Sequence, residues 1–351
     1  MKIKLLITFL FLCSIFLGIM LFNFLLNPYG IFPKIIEQYP IKEWNMHCEK
    51  FFPLKIAMDN TKYKKVIVGD SVVSNAFQSD DEKYVLWVPA TDMTFLRDAL
   101  TVFLKKHPTV EEVYFCLNVS LFVDDEAWNF KYNDNVSCLD YIKILYSYDM
   151  LKASFEQLTS NFSSFFRKGE EFFVIEPWRH SRYETLDLLY NDFDKIKDIQ
   201  NICKENGVKL KFFFSPYHAL YLAEIMETGN YANFELIKRE LVKRTDYIDF
   251  GYVNTYSAEP FPKENDYAYD AYFHDPEHSL YLFGGLMMDK IIGQDEEIGF
   301  DVNKNNIEDI LKKEKEFLVE YISQNKASID EYLESAKIGR RDFIKLRTTM
   351  D

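Results

Sequence analysis

The sequence predicts an α/β protein with a parallel sheet, joined to an N-terminal transmembrane helix and interrupted by a mostly helical insertion. Three observations predict this class. An apolar run without charges opens the chain, short apolar segments alternate with helical periodicity in residues 63–296, and residues 119–207 lack that alternation. Strands that alternate with helices are typical of a parallel sheet covered on both faces.

The opening apolar run, Leu5–Leu26, contains no charged residue. As a helix it would be about 33 Å long, slightly more than the hydrocarbon core of a bilayer at about 30 Å. Lys2 and Lys4 precede it, which favours a cytoplasmic tip at residues 1–4. No small-residue cleavage site follows the run. We therefore expect an uncleaved anchor of a single-pass membrane protein, with the rest of the chain extracytoplasmic, at the cell surface or in the periplasm.

After the anchor, residues 27–62 are rich in proline and predict a stalk. The α/β domain follows at 63–296. Helices are predicted around Phe95–Phe103, where apolar residues recur at spacings of three and four, and at 186–205, which Asn206-Gly207 terminates. A closing helix is predicted at 280–292. Five short apolar runs predict the core strands, at 65–68, 84–88, 110–117, 208–214 and 247–250.

Two further regions differ from the α/β pattern. Residues 119–207 read as the insertion, mostly helical, with a strand predicted only at 171–175. Residues 297–351 form a charged C-terminal helical extension, in which 304–336 has the periodicity of an amphipathic helix. We expect this helix to dock one face on the domain or on a partner.

Composition excludes several classes of function. Lys and Arg number 41 against 55 Asp and Glu, a net charge of −14, so a basic groove for nucleic acid is not expected. Apolar residues make up 48%, which excludes a wholly disordered chain. The five Cys show neither a CxxC pair nor metal-ligand spacing, and no glycine-rich phosphate loop is present. We expect neither a metal nor another cofactor.

The first candidate for chemistry is Gly69-Asp70-Ser71, directly after the first predicted strand. A Ser at this turn lies at the carboxyl edge of a parallel sheet, where open α/β folds place their ligands. Its backbone N–H, at the start of a helix, can face a developing oxyanion. The alternative is that Asp70 or Ser71 only caps the helix.

The second candidate is Asp275-Pro276-Glu277-His278, just before the closing helix. An Asp three residues before a His can orient the imidazole while the His activates a hydroxyl, which is the logic of the serine triad. The neighbouring His274 lacks this spacing. The alternative is a helix-start Asp275 and a surface His278.

Together the two motifs resemble the SGNH, or GDSL, hydrolase superfamily. In that family the Ser is the nucleophile, the His is the general base and the Asp orients the His. The resemblance therefore implies these roles for Ser71, His278 and Asp275. It also implies a flavodoxin-like α/β/α sandwich as the fold.

More of the chain looks like one branch of that superfamily, the membrane-anchored SGNH proteins that accompany envelope acyltransferases. Examples are the D-alanyl transfer protein of the teichoic-acid machinery and the alginate O-acetylation proteins. The resemblance covers roughly residues 27–118 and 208–292. It implies an O-acyltransferase or esterase acting on a cell-envelope polysaccharide. An envelope glycan or acylated envelope polymer would be the substrate, and a multi-pass membrane acyltransferase the partner.

The chain departs from the family where the oxyanion donors are expected. The family's second block usually supplies a Gly, whereas here the stretch is Val88-Pro89-Ala90-Thr91, so a backbone N–H near Ala90 would replace it. The third block usually ends in Gly-x-Asn-Asp, and here it is Cys116-Leu117-Asn118-Val119. The predicted oxyanion hole is then the N–H of Ser71, the N–H near Ala90 and the Asn118 amide. The alternative for Asn118 is a strand-end cap.

Further candidates for substrate binding are Asp70 and the pair Tyr217 and His218, which follow the fourth core strand. The alternative for His218 is a helix start satisfied by neighbouring backbone. A non-catalytic alternative also stays open for the whole protein. It would be an anchored scaffold or accessory subunit of an envelope acylation or polysaccharide assembly complex, motivated by the missing Gly and the charged C-terminal helix.

Overall fold

The structure is a computed structural model. It describes residues 2–28, 31–32, 56, 59–88, 91–123, 137–166, 188–260, 272–273, 276–294 and 297–334. Within these ranges it confirms an α/β protein with a mostly parallel sheet and one long apolar helix at the N-terminus.

The elements follow one another along the chain as helices and short strands. The strands are β1 (Lys65–Gly69), β2 (Lys83–Trp87), β3 (Glu112–Leu117), β4 (Lys209–Phe214), β5 (Tyr247–Asp249) and β6 (Phe300–Val302). The helices are α1 (Lys2–Leu26), α2 (Ser71–Ala76), α3 (Met93–Lys106), α4 (Cys138–Leu145), α5 (Tyr148–Phe166), α6 (Tyr190–Glu205), α7 (Ala219–Glu227), α8 (Tyr231–Val242), α9 (Tyr281–Ile292) and α10 (Ile307–Gln324). A further helix covers 326–334.

The six strands form one sheet in the order β2-β1-β3-β4-β5-β6. Strands β1 to β5 are parallel, and β6 pairs antiparallel with β5 at the edge. Val68 of β1 lies opposite Leu86 of β2 on one side and Phe115 of β3 on the other. The chain passes from β2 back across β1 to β3, so the winding reverses there. The carboxyl ends of β1 and β3 flank this switch point.

Both faces of the sheet are covered by helices. On one face, α2 and α9 pack over Ile67, Cys116 and Phe213. On the other face, Phe103 of α3 stacks on Tyr84, and α6 and α8 pack against β4. Because successive side chains point to opposite faces of a strand, β1 is buried nearly throughout. This explains why its sequence is a continuous apolar run.

The five predicted core strands and the helices predicted around Phe95–Phe103, at 186–205 and at 280–292 occur close to their predicted positions. Strand β6 and helices α7 and α8 were not predicted. Strand β6 has three residues, of which Asp301 is exposed, so it leaves no apolar run in the sequence. The predicted amphipathic helix over 304–336 is interrupted at Asn325, where α10 ends. The strand predicted at 171–175 lies outside the described residues.

The chain divides into two compact units. The first comprises 1–61 and 130–171 and contains α1, α4 and α5. Its core consists of buried apolar residues from a loop and two helices: Ile31, Phe32, Ile144, Met150 and Ala153. Residues Leu6–Leu26 of α1 are long and apolar enough to cross a membrane.

The second unit comprises 62–129 and 172–351 and contains the sheet with the other helices. These units differ from the boundaries expected from the sequence. Helix α6, in the predicted insertion 119–207, buries Phe193, Ile196 and Cys203 as the crossover between β3 and β4. The predicted extension, 297–351, contributes β6 to the sheet.

A buried ion cluster joins α8, β5 and α10 within the second unit. The Nζ atom of Lys238 lies 2.9 Å from Asp249 and 2.7 Å from Glu314, and it donates to the carbonyl of Gly251 at 2.9 Å. All three charged side chains are almost fully buried. Burial, opposed by Lys238 and reinforced by Asp249, raises the pKa of Glu314 to about 8. A protonated Glu314 leaves one carboxylate to balance Lys238, so the cluster is close to neutral.

Candidate active site

The turn after β1 places Ser71 at the switch point of the sheet. Asp70 has an extended backbone and caps α2, since its Oδ1 accepts from the N–H of Val72 at 3.0 Å. Ser71 is the first residue of α2 and is only partly buried. The first N–H groups of a helix have no intrahelical partner, which agrees with a donor at Ser71. That donor role stays a prediction.

His278 lies next to Ser71, across 207 positions of sequence. Its Nε2 is 2.9 Å from the Oγ of Ser71, and its side chain is 1% exposed. The loop that carries it is closed by a bridge between Phe273 and Ser279. The structure therefore brings together the predicted nucleophile and the predicted base, with their polar atoms at hydrogen-bond distance.

Helix α9 approaches α2 through a glycine. A Cβ atom on Gly284 would lie 1.7 Å from the carbonyl oxygen of Ala76, the last residue of α2. Only a residue without a side chain permits this contact. Ser71 begins α2 and His278 precedes α9 by three residues, so the spacing of these helices sets the distance between the two side chains.

A polar network joins the turn after β1 to the turn after β3. The Nδ2 of Asn118 donates to Asp70 Oδ2 at 2.6 Å, and its Oδ1 accepts from the N–H of Leu121 at 3.2 Å. The Oγ of Ser120 lies 3.0 Å from Asp70 Oδ2 and 2.7 Å from Asn118 Oδ1. The single hydroxyl proton of Ser120 can serve either acceptor.

Asn118 precedes the 3₁₀ turn Val119–Leu121 and caps it. This is the strand-end cap that the alternative interpretation of Asn118 predicted. Its amide nitrogen carries two hydrogens, and the bond to Asp70 uses one of them. The cap and the predicted oxyanion donor are therefore compatible. Asp70 is a buried carboxylate that accepts from neighbouring groups, and its predicted contact with substrate stays a prediction.

Tyr217 and His218 form hydrogen bonds to the two loops beside this site. Both are 2% exposed. The hydroxyl of Tyr217 accepts from the N–H of Val119 at 2.8 Å, and the N–H of His218 donates to the carbonyl of Pro276 at 2.9 Å. These contacts join the end of β4 to the Asn118 turn and to the His278 loop.

The imidazole of His218 is held by backbone on both sides. Its Nδ1 accepts from the N–H of Leu220 at 3.1 Å and caps α7, and its Nε2 donates to the carbonyl of Glu259 at 2.7 Å. Burial lowers the pKa of His218 to about 4, although the hydrogen bond to the backbone carbonyl of Glu259 acts to raise it. The alternative interpretation of His218, a helix start satisfied by neighbouring backbone, predicted partners of this kind. Contact with substrate stays a prediction for Tyr217 and His218.

Some predicted residues lie outside the described part of the chain. These are Asp275, the predicted orienting residue, its neighbour His274, and Ala90 of the predicted oxyanion hole. Cys116, beside the site on β3, is fully buried, and burial followed by the charge of Asp70 raises the pKa of its thiol. Among the described residues, no group of three or more His, Cys, Asp or Glu could hold a metal ion.

Sequence reasoning missed the contributions of Ser120 and Gly284. Ser120 follows Asn118 by two positions, which is the spacing at which a strand-end turn brings two polar side chains together. Gly284 and Gly285 stand side by side in the apolar first half of α9. Such a pair in a helix interior signals a close approach, since glycine otherwise lowers helix stability.

No protein-family model matches the chain, and no curated protein matches it either.

Proposed function

We propose that this protein is a serine-dependent acyl-group enzyme, held at a membrane by α1, that acts on a cell-envelope polysaccharide. One observation carries the proposal: the 2.9 Å distance between Ser71 Oγ and His278 Nε2 at the carboxyl edge of the sheet. A hydroxyl beside an imidazole is the pair that nucleophilic catalysis requires. The nature of the acyl group and glycan is inferred from the sequence resemblance alone.

The topology supports assignment to the flavodoxin-like SGNH fold. The first five strands have the spatial order 2-1-3-4-5, which is that of flavodoxin-like doubly wound sheets. In the SGNH hydrolases the sequence resembles, the nucleophile follows the first core strand and the His precedes the closing helix. Ser71 after β1 and His278 before α9 agree with this arrangement.

The proposed mechanism begins with attack of Ser71 Oγ on the carbonyl carbon of an ester or thioester. His278 Nε2 accepts the hydroxyl proton as the C–O bond forms, and Asp275 orients the ring. The oxyanion receives hydrogen bonds from the N–H of Ser71, the N–H near Ala90 and the Asn118 amide. The intermediate then collapses, and His278 returns the proton to the departing alcohol or thiol, which leaves an acyl-Ser71.

In the second half, the oxygen of an acceptor hydroxyl attacks the acyl carbon of acyl-Ser71 while His278 Nε2 accepts the acceptor's proton. The bond between the acyl carbon and Ser71 Oγ then breaks, and His278 returns the proton to Ser71 Oγ. Water as acceptor gives an esterase, and a glycan hydroxyl gives an O-acyltransferase. Which occurs depends on the exclusion of water and the binding of a sugar. A multi-pass acyltransferase in the same membrane is the proposed partner that supplies or receives acyl groups.

The test is covalent labelling of the full chain in detergent with a serine-directed fluorophosphonate, read by intact mass. We expect one adduct on the wild type and none on Ser71→Ala. Ser74→Ala is the matched control, since Ser74 lies one turn further along α2 and its Oγ donates to the carbonyl of Ser71. It should label like the wild type.

The absence of an adduct on folded wild-type protein would contradict an activated Ser71. It would instead favour the non-catalytic alternative, an anchored scaffold of an envelope assembly. Labelling of Ser71→Ala to the same extent as the wild type would contradict the assignment of the nucleophile.

A further inference from the structure

Helix α4 has an exposed apolar stripe. Leu139, Ile142 and Tyr146 follow one another at spacings of three and four, which places them on one face of the helix. Their exposed fractions are 64%, 42% and 50%. The opposite face is also apolar, because Ile144 is buried in the core of the first unit. Tyr148 at the start of α5, 76% exposed, extends the outer surface. Apolar side chains that cluster on an exposed surface mark a site of interaction with a protein or a membrane.

This surface lies beside the C-terminal half of α1. The rings of Phe16 and Tyr146 have centroids 4.2 Å apart, and those of Phe22 and Phe155 are 5.1 Å apart. The Nδ2 of Asn23 donates to the carbonyl of Leu145 at 2.7 Å. Helix α4, the turn after it and the first turns of α5 therefore form a hairpin against residues 16–26.

The charges at the other end of α1 set the depth of these contacts. Lys4 is exposed and is the last charged residue before the end of α1. With Lys4 at one membrane surface, a hydrocarbon core of about 30 Å accommodates about 20 helical residues and ends near Phe24. Phe16 then lies about 12 Å inside that boundary, at 1.5 Å per residue. A side chain that contacts Phe16 must itself reach the hydrocarbon.

The polar groups of the hairpin suit an interfacial position. The buried amide of Asn23, near the proposed boundary, has a carbonyl partner at the end of α4, where helix carbonyls lack intrahelical donors. Asp140 and Lys143 pair with each other at 3.2 Å, and a lysine can extend its ammonium group to the headgroups. A helix with one apolar outer face and a few charges is typical of the lipid interface.

We infer that α4 and the beginning of α5 form a hairpin whose outer face, Leu139, Ile142, Tyr146 and Tyr148, lies in the lipid leaflet nearest the C-terminal end of α1. The partner of this surface is the bilayer itself, at the boundary between headgroups and acyl chains. The inference rests on the proposed membrane location of α1, and is independent of the proposed acyl chemistry.

Depth-dependent quenching tests the inference on the full chain in nanodiscs of phosphatidylcholine. Single cysteines at Leu139 and Tyr148 carry an environment-sensitive fluorophore, in a chain with Cys13, Cys48 and Cys138 replaced by Ser. Cys116 and Cys203 are buried and remain. Phe11 on α1 is the positive reference, and Lys313, exposed on α10, is the negative reference. Phosphatidylcholine with a spin label on its acyl chain is the quencher.

We expect quenching at Leu139 and Tyr148 at least threefold greater than at Lys313. Tyr148 should be quenched more strongly than Leu139, because it lies closer to the turn between α4 and α5, where Tyr146 contacts Phe16. If Leu139 and Tyr148 were quenched only to the level of Lys313 while Phe11 was quenched, the membrane position of the hairpin would be overturned and the membrane location of α1 would stand. An unquenched Phe11 would overturn both.

A second measurement uses the unmodified chain and a lipid with a photoreactive group on its acyl chain. Peptides from 138–155 should carry lipid adducts, and those from 307–324 should not. Crosslinks from 138–155 to a second copy or another protein, without lipid adducts, would contradict the inference.

Discussion

The Asn118 amide donates a 2.6 Å hydrogen bond to the Asp70 carboxylate, and both side chains are buried. This bond connects the turns that follow two neighbouring strands, β1 and β3, at the switch point of the sheet. Ser71 follows Asp70 directly. The position of the proposed nucleophile and that of the predicted amide donor are therefore fixed relative to each other by one buried contact.

We predict that Asp70→Asn destabilises the second unit, which contains the sheet, and lowers acyl turnover. The new amide cannot accept from Val72, Asn118 and Ser120 as fully as the carboxylate does, and an unsatisfied buried group costs about 1–3 kcal/mol. Thermal unfolding and hydrolysis of an activated ester measure the two effects. Ser120→Ala is the control and should lose less of both. Equal losses in the two variants would contradict a central role for Asp70.

We predict that Ser71→Ala and His278→Ala each lower turnover of an activated ester by at least about a thousandfold, as removal of a triad member does in known serine enzymes. Circular dichroism should show Ser71→Ala folded, since Ser71 is only partly buried, and it checks the fold of His278→Ala, whose side chain is buried. Ser74→Ala should retain most of the activity. Turnover in His278→Ala close to that of the wild type would exclude His278 as the base.

We predict that Gly284→Ala lowers activity strongly, whereas Gly285→Ala does not. A Cβ on Gly284 would meet the Ala76 carbonyl oxygen at 1.7 Å, so α9 would have to move away from α2, whereas a Cβ on Gly285 meets nothing within 4 Å. A shift of about 1 Å can cost about a hundredfold in rate. Steady-state kinetics and melting temperatures of the two variants make the comparison. Similar activity in both would show that this contact does not set the site.

We predict that stability falls as the pH rises through the titration of Glu314, and that Glu314→Gln removes this dependence. The pKa of Glu314 is about 8 in the folded chain against an ordinary value of 4.5, so between these pH values the folded chain binds the extra proton. The free energy of unfolding then decreases with pH, by up to about 1.4 kcal/mol per pH unit for one proton.

Denaturant unfolding between pH 5 and pH 9 measures this slope. Glu314→Gln keeps a neutral group beside Lys238 and Asp249, so its curve should be flatter and should exceed that of the wild type at high pH. Glu316→Gln, an exposed change on the same helix, should keep the wild-type slope. Equal slopes for Glu314→Gln and the wild type would refute the buried titration.

The parts of the fold that follow from local pattern could be predicted from the sequence. Strands β1 and β3 are almost fully buried apolar runs, and β4 ends in three buried Phe residues. Helix α9 starts and ends within a residue of its predicted bounds. Strand β6 could not be predicted, because it gains its strand character by pairing with β5 and not from an apolar run. The division of the 119–207 segment between two units likewise depends on long-range packing.

At the site, motif spacing predicted Ser71 and His278, which the structure places 2.9 Å apart. It could not predict which polar side chains face each other across the sheet edge. The Ser120 contacts, the support of the His278 loop by the His218 N–H, and the need for glycine at position 284 all arise between segments distant in sequence. For the same reason, the sequence left both the cap interpretation and the donor interpretation of Asn118 open.

The 207 positions between Ser71 and His278 also determine when the proposed catalytic pair can form during synthesis. At a synthesis rate of about 5–20 residues per second, the imidazole is made roughly 10–40 s after the hydroxyl. Contacts of such large sequence separation form late, because a long loop must close first. A chain that stops before position 278 would therefore carry the serine without its proposed partner, and the proposed pair would form only after that position has been made.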